Sequence, residues 1–158
     1  MFAPTRAYAR LRQWRGQVPL QPIRRSPQGR PVIAADTSTW VAFLRGGKGP
    51  GVELLDLALR DQQVVMPPIV LTELLGDPQL PPDVASTLCE VPLVEISAGY
   101  WQRAGELRAR VLAARRKGRL GGALIAQSCL GRGIPLVTRD RDFKVFAAAA
   151  ALDIVAGR

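Results

Sequence analysis

Histidine does not occur in this chain, and cysteine occurs only twice. Without imidazole, His-ligated metal sites and the Ser-His or Cys-His pairs of covalent hydrolases are excluded. Cys89 and Cys129 stand alone, so they offer no paired zinc-ligand spacing. Their apolar surroundings predict two buried free thiols, suited to a reducing cytosol, rather than a disulfide. No stretch approaches the roughly 20 continuous apolar residues of a membrane span. The N-terminus lacks an apolar core followed by a small-residue cleavage site, so the sequence predicts a soluble, cytoplasmic protein with no membrane partner. With these chemistries removed, carboxylate and metal–oxygen chemistry remain.

Acidic residues are also missing from residues 1–31, which carry Arg6, Arg10, Arg12, Arg15, Arg24, Arg25 and Arg30. The whole chain has a net charge of +9, so this segment supplies +7 of it and the remaining body is close to neutral. Such an arm, with Tyr8 and Trp14 among its arginines, could neutralise phosphates and stack on bases. The same composition also describes a disordered tail or a leader. At 158 residues the chain suits one domain plus this arm, enough to bury about 70% of the surface exposed when unfolded. The expected division is a basic arm at 1–31 and a folded domain at 32–158, joined through a Pro/Gly-punctuated linker at 26–31.

Within the body, residues 32–35, apolar without alternation, read as a short buried strand, and residues 64–66, 93–95 and 134–137 read as further short strands, with an edge strand at 152–155. Between them lie helical stretches at 40–44, 52–61, 69–75, 82–89, 98–117, 123–130 and 144–151, with Thr37-Ser38-Thr39 able to cap the first. Gly118 is expected to end the long basic helix. Strands alternating with helices imply right-handed crossovers and a mostly parallel sheet covered on both faces, a three-layer α/β/α domain. Ligands in such sheets bind beyond the carboxyl ends of the strands. Asp36 directly follows the first strand and Asp140 follows the fourth by three residues, so both fall on that rim.

Taken one at a time, the acids have plain structural uses: Asp36 as a helix cap, Glu73 as a solvated helix residue, Asp140 and Asp142 as turn residues. Trp40, Phe43 and Trp101 read as core or interface residues. Arg103, Arg108, Arg110, Arg115, Arg116, Lys117 and Arg119 can solvate an exposed helix face. If some of them border an acidic pocket, they can instead hold phosphates.

Together, Val32-Ile33-Ala34-Ala35-Asp36-Thr37-Ser38, Leu71-Thr72-Glu73-Leu74-Leu75 and Leu136-Val137-Thr138-Arg139-Asp140-Arg141-Asp142-Phe143 resemble the PIN-domain nucleases, especially the VapC toxins of toxin–antitoxin modules. The resemblance covers residues 32–155. It implies a PIN-like α/β/α fold, with Asp36, Glu73 and Asp140 as metal-site carboxylates for Mg²⁺, or Mn²⁺ as substitute, and Asp142 as a further catalytic acid. Ser38 and Thr138 would be auxiliary polar groups. Arg115, Arg116, Lys117, Arg119 and Arg139 are the candidate nucleic-acid contacts. The resemblance further implies an endoribonuclease acting on RNA, a cognate antitoxin and a homodimer.

One departure stands out. Leu120-Gly121-Gly122-Ala123-Leu124-Ile125-Ala126-Gln127 resembles the family's remaining acidic motif, in which Asp precedes the Ala-Leu-Ile-Ala run; here that position is Gly122. The vacated position implies a nuclease weakened or disabled by a substitution, or a PIN scaffold that naturally binds RNA or an antitoxin without cutting.

Overall fold

A computed structural model of the chain describes residues 9–11 and 31–155. Apart from residues 9–11 and Pro31, the basic arm and the expected linker lie outside the described residues. Residues 9–11 are helical, Leu11 is buried within the core, and Arg10 Nε lies 2.5 Å from Asp56 Oδ1.

The body alternates strand and helix: β1 (Ile33–Ala35), α1 (Thr37–Leu44), α2 (Pro50–Arg60), β2 (Val64–Val65), α3 (Pro68–Leu75), α4 (Pro82–Leu88), α5 (Tyr100–Ala113), α6 (Leu120–Leu130), β3 (Leu136–Val137), a 3₁₀ turn (Arg141–Phe143), α7 (Lys144–Ala150) and β4 (Ile154–Val155). The sheet order is β2-β1-β3-β4, and every pairing is parallel. The three-layer α/β/α reading holds. The strands are short but carry Ala34, Ala35, Val64, Val65, Leu136 and Val137, all buried, which is how strands covered on both faces must be made.

Proline at the start of α2, α3 and α4 suits first-turn positions whose N–H groups have no partner inside the helix. Trp40, Leu55, Leu59, Met66, Leu88 and Leu107 fill the core between the layers.

Several expectations need correction. Residues 93–95 form no strand: Leu93 makes an isolated parallel bridge with Met66, too short a pairing to extend the sheet. The sheet therefore has four strands, and residues 136–137 belong to its third. The long basic helix ends at Ala113 rather than at Gly118, because Arg115 adopts a left-handed φ of 54° and the chain turns back. The following helix starts at Leu120 and takes Gly121 and Gly122 into its first turn. Cys129 is a buried free thiol, but Cys89 is exposed, since it lies just past the end of α4. Trp40 and Phe43 are core residues, whereas Trp101 is 65% exposed.

Candidate active site

The strand order changes direction between β1 and β3: β2 lies on one side of β1, and β3 with β4 on the other. The crevice beyond the carboxyl ends of such a neighbouring pair is where open α/β sheets bind ligands. Asp36 leaves β1 at that point, and its backbone N–H donates to Val137 O at 3.0 Å, tying it to the end of β3.

Asp36 is buried and caps α1. Its Oδ1 accepts from the Thr39 N–H at 3.0 Å and the Thr39 hydroxyl at 2.6 Å, and its Oδ2 accepts from the Ser38 hydroxyl at 2.7 Å. Charge-assisted bonds of this kind hold a buried carboxylate in one orientation. The cap of α1 is thus Asp36, the plain structural use read for it, and not Thr37-Ser38-Thr39, which lies inside the helix; Ser38 and Thr39 donate to Asp36.

After β3, the buried Thr138 hydroxyl accepts from the Asp140 N–H at 3.0 Å. Asp140 in turn caps the 3₁₀ turn, with Oδ1 accepting from the Asp142 N–H at 2.9 Å. Glu73 projects from α3, and Thr37 donates a short hydrogen bond to its Oε2. Its Oε1 lies against the first turn of α6, 2.8 Å from where a side chain at Gly121 would begin. That turn has no acid of its own and no side-chain cap, so Glu73 supplies negative charge to the helix N-terminus from another element.

Asp36, Glu73, Asp140 and Asp142 all line one open cavity of about 540 Å³. Ser38, Lys117 and Arg119 line it as well, and Val41, Ile125, Phe143 and Phe146 form its apolar wall. Arg119 Nε is 3.7 Å from Asp142 Oδ2, an exposed pair too loose to hold either group firmly. Gly122 also borders the cavity, and a Cβ there would lie 3.0 Å from the Phe146 ring. The space beside the vacated acidic position is therefore filled by an aromatic side chain from α7.

Not every candidate converges. Thr138 lies behind Asp140 and does not line the cavity; Arg115 and Arg139 are exposed and outside it. Arg116 lines a different groove. Among the described residues, no three acidic side chains form a ready-made metal-ligand cluster: the four carboxylates share a cavity, not a point. Sequence reasoning missed Thr37, Thr39, Gly121 and Phe146. The two threonines flank Ser38 beside Asp36, a clustering of hydroxyls that could have found them. Phe146 carries no such signal, being one apolar residue of an apolar helix.

These features define a class: a parallel α/β domain whose topological switch point is lined with carboxylates. Residues 33–149 match the profile of the PIN domain family, and the chain belongs to that family. Similar solved structures include a member of the VapBC family of toxin–antitoxin systems, VapBC-5 from Mycobacterium tuberculosis, at 20% identity and a TM-score of 0.56, covering 78% of this chain and 97% of that one. VapBC2 from Rickettsia felis, solved bound to a DNA fragment from its promoter, matches at 21% identity and a TM-score of 0.60 with the same coverage. FitAcB from Neisseria gonorrhoeae matches at 18% identity and a TM-score of 0.57, covering 78% of this chain and 96% of that one. At these identities the likeness is one of fold. No curated protein matches the chain.

Proposed function

We propose that this chain is a metal-dependent endoribonuclease of the VapC toxin type, weakened or inactivated by glycine at position 122, acting as a homodimer in the cytoplasm and restrained by a cognate antitoxin. PIN domains are generally nucleases that use divalent metals. One observation carries the reading here: four carboxylates from three separate segments line one cavity at the switch point, with two cations beside them. The toxin–antitoxin setting is supported by the VapBC proteins among the similar structures.

The donor set suits a hard divalent cation in kind, being all oxygen. Mg²⁺ sheds its water reluctantly, so a closed protein cage is not required. Asp36, Glu73 and Asp140 would hold Mg²⁺ or Mn²⁺. A bound ion supplies an activated water and neutralises charge developing on the phosphate.

The chain's own groups do the rest. Ser38 and Thr39 fix the orientation of Asp36, and Thr138 positions the backbone of Asp140. Lys117 and Arg119 bring positive charge to the same cavity, where they can bind the phosphate, Arg119 by exchanging its loose contact with Asp142.

Gly122 favours a second reading, a PIN scaffold that binds RNA or an antitoxin without cutting. The acid expected there is absent, Phe146 backs the position, and the described carboxylates form no three-acid cluster. Mn²⁺ titration followed by electron paramagnetic resonance separates the two. The ribonuclease reading expects saturable binding that Asp36→Asn removes. Binding too weak to saturate, or indifferent to Asp36→Asn, contradicts it and favours the scaffold.

A further inference from the structure

Beside the acidic cavity lies a second groove of about 490 Å³, between the end of α5 and the outer face of α7. Arg110, Arg116 and Lys144 line it with no acidic residue, and its floor is made of small apolar side chains, among them Val111, Ala114 and Val145. All three cations are exposed, and none makes an ion pair among the described residues. The groove and the acidic cavity share two segments. In the loop after α5, Arg116 faces the groove while Lys117 and Arg119 face the cavity. Around the start of α7, Lys144 and Val145 face the groove while Asp142, Phe143 and Phe146 face the cavity.

The loop joining them is held in place. The N–H groups of Arg115 and Arg116 bond back to Leu112 O and Val111 O, at 2.9 and 3.1 Å, and Arg108 Nε donates to Gly118 O at 2.8 Å. Arg108 is therefore spent on the backbone, which leaves Arg116, Lys117 and Arg119 presented from a fixed turn. Cations of one loop thus reach both the rim of the acidic cavity and the groove.

We propose that this groove holds the phosphodiester backbone of the RNA strand next to the unit bound at the acids. The inference rests on the ribonuclease reading for its substrate class. A polymer with one phosphate at Lys117 and Arg119 has to carry its neighbouring phosphates over the adjoining surface, and the groove adjoins the cavity with cations and no acids. The small apolar floor offers no donors or acceptors to base edges, so the groove reads charge and not sequence. An acidic peptide would satisfy the same cations, but it has no need of continuity with the cavity.

The test is fluorescence anisotropy with a fluorescein-labelled, 12-nucleotide single-stranded RNA and the full chain, in EDTA so that no cleavage is needed, over a range of KCl concentrations. Arg110→Ser/Arg116→Ser/Lys144→Ser should weaken binding about tenfold or more and make the log–log salt dependence shallower by about 2, as expected for three lost phosphate contacts on a single strand. Arg45→Ser/Lys48→Ser/Arg60→Ser, the same loss of formal charge at residues that line neither the groove nor the cavity, should leave the slope nearly unchanged. An unchanged slope for the groove variant, or an equal change in both variants, overturns the proposal. So does an oligoglutamate probe that binds through the three cations when RNA does not, which would assign the groove to an acidic protein partner. Because binding is read without metal, a chain that binds RNA through the groove but never cuts contradicts the ribonuclease reading alone.

Discussion

Asp36 serves two purposes at once, and they can be separated. As the buried cap of α1 it accepts from Thr39 and Ser38, and as the acid at the end of β1 it lines the cavity. Asp36→Ala removes both, and the lost cap should cost about 1–2 kcal/mol, read as a lower melting temperature. Asp36→Asn keeps an acceptor for the cap and should stay closer to the parent in thermal denaturation while losing Mn²⁺ binding.

Gly122 presents the opposite case. An Asp there must begin 3.0 Å from the Phe146 ring, so Gly122→Asp should destabilise the protein by about 1–2 kcal/mol through overpacking. Phe146→Leu should recover part of that loss, so that the double variant loses less stability than the two single losses added together. Strict additivity in urea unfolding would contradict the coupling. A side chain at Gly121 would instead strike the Glu73 carboxylate, so the two neighbouring glycines make room for different side chains, Glu73 at one and Phe146 at the other.

Among the elements, the pairing of α5 with α6 carries the loop that faces the cavity. The Tyr100 hydroxyl donates to Leu124 O at 2.7 Å and lies 3.2 Å from Ser128 Oγ, and burial pushes its pKa up. Tyr100→Phe should cost about 1 kcal/mol, or roughly 2–4 °C in melting temperature for a chain of this size. Arg108→Ala acts elsewhere: it frees Gly118 O and should loosen the loop from Arg115 to Arg119, seen as faster amide hydrogen exchange there with little change in α6.

This is also where the sequence was hardest to read. Continuous helical periodicity through residues 98–117 concealed the turn at Arg115, because no glycine or proline marks a left-handed residue there. Gly118 looked like the stop signal, but it is buried against Val111 and Leu112, a packing role that only the tertiary structure reveals. The strands after which the acids fall were legible because apolar runs bounded by Asp36 and by Thr138 have few other uses. Residues 93–95 begin with a similar apolar pair but end in Glu95; Leu93 is 41% exposed and only one bridge forms.

For the whole molecule, the sequence carried the parallel three-layer architecture and the acids of the cavity, because both depend on local composition and chain order. It did not carry the apolar wall of the cavity or the groove beside it, because Phe146, Val111 and Val145 become neighbours of the site only through packing. The two thiols report on that packing. Cys129 is buried and its pKa is pushed up to about 12, so it stays protonated and unreactive at pH 8, whereas Cys89 is exposed. A maleimide titration should therefore label one thiol in the native protein, at Cys89, and a second only after denaturation. Rapid native labelling of Cys129 would mean that α6 does not pack as described.

The chain stands or falls as a nuclease on Mg²⁺- and Mn²⁺-dependent cleavage of total RNA, measured side by side for the chain itself, Gly122→Asp/Phe146→Leu, and the same double variant carrying Asp36→Asn. Metal-dependent cleavage should be weak or absent in the first, gained in the second and lost again in the third. No gain in the second, or cleavage that persists in EDTA or survives Asp36→Asn, would contradict a metal site built on these carboxylates.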